Sequence, residues 1–414
     1  MSKYHAREIF DTFYLIALQG LNYVSPLIVF PYLMVVLGAE KFGYIGFTMS
    51  VIQYLMLFVD FGFNFSATKQ ISLAKGNQQE LNRIFTSTFY AKIGLLLVSF
   101  FALLLISLVP RFEVYRETMY IMFLMVIGHA FTFVWLFQGM GNIRFISIFN
   151  MISRLSILPL TFIFVTSSSD YSIAALIQAL VSIVSMIFSL IYITKNGWVT
   201  IGSIIRNDVV FALKESFPLF LSNAATSIYT ISFVLLLGYF STAEQVGQYS
   251  AVEKIMRAAC YLIFVPISQA FYPKVVSLAS QNRTEAIRLV KMLLLLVLVI
   301  MLCVFVLIFF FSPYLVRFLG KDYQDTAVLF KIIAFVPLFV GAGGVIAQLG
   351  LLALGGVSDK KNYQKVYFFA AIVALISILS TVPFYGANGA TISLLVTEIT
   401  VCLLMVWYGR KIIF

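Results

Sequence analysis

A set of charged side chains stands where charge is costly. Asp60, Lys92, Arg154, Glu253, Lys254, Arg257, Lys331 and Glu398 all fall inside long apolar runs. A charge at bilayer depth costs about 2.5–3.5 kcal/mol on insertion scales. Side chains that carry this cost face a bundle interior or a water-filled cavity. Glu398 has no base within a turn of its own run. It needs a partner from another helix or a proton, which is what a coupling site for H⁺ or Na⁺ requires.

Helical spacing shows which polar groups share a face. Gln53, Asp60 and Asn64 fall within about 40° of one another at roughly 100° per residue. Ser147, Arg154 and Thr161 repeat every seven residues, with Asn150 alongside. Thr88, Lys92 and Ser99 line up in the same way, and Gln19, Asn22 and Pro26 add a further polar stretch. The first half of the chain thus presents one acid, two bases and several amides to a common interior. In the second half, Glu253 and Arg257 are four apart, Thr391, Glu398 and Cys402 share a face, and Asn223, Ser227 and Thr230 share another.

Plainer roles compete at each position. Glu253 and Arg257 are spaced for an i,i+4 pair along their own helix. Lys254 and Lys331 are long enough to snorkel to headgroups. Asp60 is placed to neutralise Arg154 or Lys92 in a packed interior, and His129 to be a hydrogen-bonded interior residue rather than a proton relay.

The elements that must position these groups are twelve apolar runs, near 12–37, 44–68, 84–109, 119–137, 146–166, 171–194, 215–238, 247–271, 287–311, 325–349, 364–382 and 389–408. Each has the length of a spanning helix, roughly 20 residues. The 28 Lys and Arg sort by alternate gaps: 18 in or at the edges of one set, five in the other and five deeper within the runs. Cytoplasmic loops collect Lys and Arg, so both termini are expected on the cytoplasmic side. The first run is too long for a signal peptide and lacks a small-residue cleavage site, so it is expected to be a span.

Composition agrees: 61% hydrophobic and 11% charged, far from a soluble domain. The net charge of +11 is spread over short cytoplasmic segments. Anionic headgroups are its natural counter-charge, and no nucleic-acid partner is expected. Cys260, Cys303 and Cys402 all sit in apolar runs and imply no disulfide framework. The longest gap on the cytoplasmic side is 195–214, which leaves no room for the soluble domain that membrane glycosyltransferases and polymerases carry. Two histidines, His5 and His129, build no His-rich metal site. There is no phosphate-binding glycine-lysine loop. Gly341, Gly343 and Gly344 suit close helix packing, and the triplet Asn282-Arg283-Thr284 falls in a cytoplasmic loop. Neither catalytic residues nor a metal or cofactor site are assigned.

Six runs lie on each side of the gap near 195–214, so two halves are expected, 1–200 and 201–414. Ala39-Glu40-Lys41-Phe42-Gly43 is echoed by Ala243-Glu244-Gln245-Val246-Gly247, Asn22 by Asn223, Arg83 by Arg288 and Pro26 by Pro218. Six spans per half make such a repeat parallel.

Four blocks carry a resemblance: residues 30–43, FPYLMVVLGAEKFG; 58–72, FVDFGFNFSATKQIS; 135–139, WLFQG; and 149–164, FNMISRLSILPLTFIF. Together they resemble the O-antigen and capsular polysaccharide repeat-unit flippases of the Wzx type, in the multidrug/oligosaccharidyl-lipid/polysaccharide exporter superfamily. The resemblance implies an all-α integral membrane fold of 12 transmembrane helices, in two six-helix lobes arranged in a V as in the multidrug and toxin extruders. It implies transport of an undecaprenyl-diphosphate-linked oligosaccharide from the cytoplasmic to the outer leaflet of the bacterial plasma membrane by alternating access. The family's acidic residue falls on Asp60 and its basic residue on Arg154.

For such a cargo, Arg154, Lys92, Arg257 and Lys331 are the phosphate-binding candidates, since Arg is the best bidentate phosphate partner. Asp60, Glu253 and Glu398 are the candidates for coupling to H⁺ or Na⁺. Gln53, Asn64, Asn22, Asn150 and Asn223 are the polar cavity candidates. The implied partners are the lipid-linked oligosaccharide, membrane lipids, a polysaccharide polymerase and a chain-length regulator. A drug extruder of the same superfamily would prefer an acidic cavity, whereas bases outnumber acids deep within these runs. A major-facilitator transporter would carry a Gly- and Arg-rich loop after the second run, which 69–83 does not supply. A polymerase, from a different functional class, would need larger outer loops.

Overall fold

In the computed structural model the backbone is described from Ser2 to Ile413, and side chains from Ile28 onward except Val357. Helices account for all regular structure among the described residues. Besides three short 3₁₀ turns, they are α1 (Ser2–Asp60), α2 (Phe63–Leu73), α3 (Gln78–Ser107), α4 (Arg116–Phe131), α5 (Val134–Met140), α6 (Ile143–Phe164), α7 (Tyr171–Lys195), α8 (Arg206–Phe240), α9 (Ala243–Gln281), α10 (Arg283–Leu319), α11 (Ala327–Ile333), α12 (Val336–Val345), a π-helical segment (Ile346–Leu354) and α13 (Val357–Ile413). Among the described residues, ten apolar helical runs are long enough to cross a membrane. Two of them, Ile28–Leu73 and Ser358–Ile413, have 46 and 56 residues, where one crossing takes roughly 20. Each leaves helical conformation at a left-handed glycine, Gly38 (φ 73°) and Gly386 (φ 53°).

Three apolar runs that read as continuous are interrupted. The second breaks at Phe61 and Gly62, and the fourth at Phe133, all with positive φ. The tenth divides into α11, α12 and the π-helical segment. Pro337, at the start of α12, has no N–H to continue the preceding helix.

The chain forms two compact units, residues 1–29 with 47–224, and 30–46 with 225–414. In the first unit, α2, α3 and α5 close on an aromatic core. Trp135, Phe137, Phe133 and Phe63 are almost fully buried there, with Phe85 5.8 Å from Trp135 between ring centroids. Residues 196–205 are tied to α3. Gln78 donates to the Trp198 carbonyl (2.9 Å), Asn82 accepts from the Thr200 N–H (2.9 Å), and Thr86 accepts from the Gly202 N–H (3.0 Å). Arg83 closes the strap with a two-point contact to Asp208, at 2.8 and 2.6 Å.

In the second unit the two related pentapeptides lie against each other. A Cβ on Gly43 would collide with the Ala243 carbonyl and come within 2.9 Å of the Gly247 nitrogen. A Cβ on Gly247 would collide with the Ala39 carbonyl and come within 2.9 Å of the Gly43 nitrogen. Small residues let helix backbones approach this closely in membranes. The glycine cluster in α12 serves the same end: Gly341 packs on Met301 and Gly344 on the Phe264 ring.

Candidate functional site

Each unit holds a buried cluster of charged side chains. In the first unit the interruption after Asp60 creates it. Phe61 (φ 44°) and Gly62 (φ 85°) end α1 in the middle of an apolar run. Left-handed φ favours glycine, and space demands it too: a Cβ on Gly62 would lie 2.8 Å from Leu219 Cβ and from the Ser216 carbonyl. The Phe61 ring stacks on Phe220 with centroids 4.8 Å apart, which holds the bend.

Asp60 is thereby left at a helix end, where three other helices reach it. Lys92 of α3 donates to Oδ1 at 3.1 Å. His129 of α4 places Nε2 2.7 Å from Oδ2, and Asn64 of α2 donates to Oδ2 at 3.1 Å. Lys92 is 1% exposed. A buried ion pair survives when the geometry is good and further hydrogen bonds satisfy the remaining lone pairs, and Asn64 and His129 supply them. The Asn64 carbonyl oxygen is buried without a partner among the described residues.

Beside this cluster lies a cavity of about 420 Å³ lined by Asn64, Thr68, Lys69, Ser72 and Gln138. It forms where α2 meets α5. The Thr68 hydroxyl lies 3.1 Å from the Trp135 carbonyl and 3.4 Å from Gln138 Oε1. The sequence blocks 58–72 and 135–139 therefore build one surface. Gln138 and Lys69 were not singled out as site residues, although both stand in or beside the blocks that carry the family resemblance.

In the second unit, Arg257 donates through Nε to Glu253 Oε1 at 2.8 Å and through Nη1 to the Tyr261 hydroxyl at 3.2 Å. The i,i+4 pair is thus formed. Arg257 Nη2 is buried with no partner among the described residues. Glu398 is 4% exposed and accepts from the Tyr229 hydroxyl at 3.2 Å, so its partner comes from another helix. A cavity of about 220 Å³ exposes Arg257, Glu398, Tyr229, Tyr261, Tyr367 and Gln348 along its wall. The tyrosines and Gln348 gave no signal in an apolar sequence. Lys254 places its ammonium 4.3 Å from the centre of the Phe30 ring.

The structure thus joins Asp60 with Lys92 and Asn64, and Arg257 with Glu253 and, across the cavity, with Glu398. Arg154 and Asn150 are half-buried on α6, and Asn223 is half-buried on α8. Gln53 is exposed. Lys331 is exposed on α11 and lines neither cavity. The side chain of Asn22 lies outside the described residues. Among the described residues no three His, Cys, Asp or Glu side chains converge to hold a metal ion.

Comparison with known proteins gives this arrangement its context. The polysaccharide biosynthesis protein family matches residues 10–279. The chain is 31% identical over 403 residues to the "Putative O-antigen transporter" of Escherichia coli (strain K12), covering 97% of this chain and 96% of that protein. A protein of the same name from Shigella dysenteriae is 29% identical over 398 residues, covering 94% and 97%. Among solved structures, the lipid II flippase MurJ in an inward closed conformation matches with a TM-score of 0.70 at 16% identity, over 95% of this chain and 87% of that one. An inward-facing multidrug resistance MATE family transporter of the MOP superfamily matches with a TM-score of 0.64 at 13% identity, over 94% and 98%. At those identities the likeness is one of fold. With the sequence match extending over most of the chain and an all-helical membrane fold shared with MATE and MurJ, the protein belongs to the polysaccharide biosynthesis protein family, as a transporter and not an enzyme.

Proposed function

We propose that the protein is a flippase that moves undecaprenyl-diphosphate-linked oligosaccharide repeat units from the cytoplasmic to the outer leaflet of the bacterial plasma membrane, by alternating access. Twelve crossings with both termini in the cytoplasm fit the distribution of Lys and Arg. The observation that carries the proposal is the buried Lys92–Asp60 pair beside a cavity where Asn64, Thr68 and Gln138 stand with Phe65 and Leu73, in a chain that matches a "Putative O-antigen transporter" over 97% of its length. The diphosphate needs cations in a low-dielectric path, and the sugars need amides and hydroxyls. The first unit offers Lys92, Lys69 and Arg154 for the one, and Asn64, Thr68, Ser72 and Gln138 for the other.

The same cluster supports a reading in which transport is ion-coupled. A proton bound to Asp60 removes the charge that Lys92 neutralises and frees the ammonium for a phosphate oxygen. Loss of the proton restores the pair and expels the anion. Na⁺ at the carboxylate would act likewise, and Glu253 and Glu398 are the corresponding carboxylates of the second unit. A polymerase and a chain-length regulator would take over the exported units.

Deletion of the gene should leave lipid-linked repeat units on the cytoplasmic face, whereas loss of a polymerase would leave single exported units. Wild-type protein should restore surface polysaccharide. Arg154→Ala, present in the membrane at normal levels, should not. Retained polysaccharide in that variant would remove Arg154 from the proposed path. Exported single units in the deletion strain would reject flipping altogether.

A further inference from the structure

The cavity in the second unit has a volume of about 220 Å³, the space of roughly seven liquid waters at about 30 Å³ each. That is the scale of one sugar ring. Its wall sets three requirements on an occupant. Glu398 has Oε1 engaged by Tyr229, so Oε2 calls for a donor. Arg257 is held by Glu253 at Nε and by Tyr261 at Nη1, which fixes a positive charge on the wall. The Tyr229 and Tyr367 rings, 5.7 Å apart between centroids, offer flat apolar faces.

The backbone around the cavity is unusual as well. Gln348 reaches it from the π-helical segment Ile346–Leu354. Departures of this kind from α-helical geometry cluster at functional sites. Here the segment adds an amide that both donates and accepts.

Few ligand classes meet all these demands. A phosphate would confront Glu398 within the cavity and Glu253 across the guanidinium. An amine would be repelled by Arg257. A neutral pyranose donates one hydroxyl to Glu398 and accepts from the Gln348 amide at another oxygen. It can also lay its C–H face on a tyrosine ring. We propose that this cavity is a binding subsite for one neutral pyranose residue of the transported oligosaccharide. The assignment rests on the flippase function proposed above. It gives the second unit the task of reading sugar.

The test uses the purified full-length protein in lipid nanodiscs, titrated with three probes. They are undecaprenyl diphosphate, the same lipid carrying one N-acetylglucosamine, and the same lipid carrying one glucose. The wild type should bind at least one sugar-bearing lipid about tenfold more tightly than the bare diphosphate, equivalent to about 1.4 kcal/mol. Gln348→Leu and Tyr367→Leu should each bring that ratio close to one and leave affinity for the bare lipid unchanged. No preference for sugar in the wild type overturns the subsite, and so does a preference that both variants retain. A parallel loss for bare and sugar-bearing lipids would make the cavity a diphosphate site and also overturns it. So does stabilisation of the wild type by Na⁺ alone that Glu398→Gln abolishes while the sugar preference persists. A wild type that binds none of the lipids rejects the flippase function itself, a result distinct from binding without sugar preference.

Discussion

The ammonium of Lys92 lies 3.1 Å from the carboxylate of Asp60, 32 positions earlier in the chain, and the lysine is all but sealed from solvent. The pair is an electrostatic unit in which neither member is well placed alone. Lys92→Met should lower apparent stability by about 3–5 kcal/mol, because it strands a mostly buried carboxylate. The double variant Lys92→Met/Asp60→Asn should recover most of that loss. Thermal unfolding of the purified variants in detergent measures both.

Transport should separate these roles further. Asp60→Asn keeps the shape of the side chain and removes its capacity to take up a proton. In proteoliposomes, flipping by this variant should no longer respond to an imposed pH gradient, while the wild type accelerates. An unchanged response would move the coupling site away from Asp60.

The close crossing at Gly43 and Gly247 makes a steric prediction. Gly43→Ala places a Cβ into the Ala243 carbonyl and should cost about 1–3 kcal/mol, as overpacking does. Gly94, inside α3, has open space among the described residues where a Cβ would stand. Gly94→Ala should therefore be neutral or stabilising by about 0.5–1 kcal/mol through helix propensity. Melting temperatures of the two variants should move in opposite directions or differ clearly.

The strap at 196–205 depends on weaker forces. Arg83 is largely exposed, so its contact with Asp208 is worth about 0–1 kcal/mol despite the good geometry. Arg83→Asp should speed limited proteolysis within residues 196–205 without changing the melting temperature measurably. The charge-swapped pair, Arg83→Asp with Asp208→Arg, should restore protection.

Hydropathy and charge made the membrane class legible, because a bilayer imposes a fixed length on each crossing and loops record orientation in Lys and Arg. Asp60, Lys92 and Asn64 were legible as a polar set because helical spacing aligned Asp60 with Asn64. The link from Asp60 to His129 spans 69 residues, and no local pattern encodes it. The interruption at Phe61 and Gly62 was hidden by hydrophobicity, since a run of Phe, Gly and Val reads as uninterrupted span. The second cavity was hidden for a related reason. Tyr229, Tyr261 and Tyr367 count as apolar in any hydropathy sum, yet their hydroxyls and ring faces shape the wall. Lys331 shows the opposite limit: a base in an apolar run, on a short helix that leaves it exposed.

The meeting of Ala39–Gly43 with Ala243–Gly247 is reciprocal, each glycine facing the alanine of the other copy. That is the signature of an isologous interface, in which one patch serves as its own complement about a two-fold axis. A self-complementary patch of this kind needs only one gene when two identical chains associate. Within one chain the consequence is that each pentapeptide supplies both the gap and the backbone that fills it, so a side chain added at either glycine disturbs both ends of the contact.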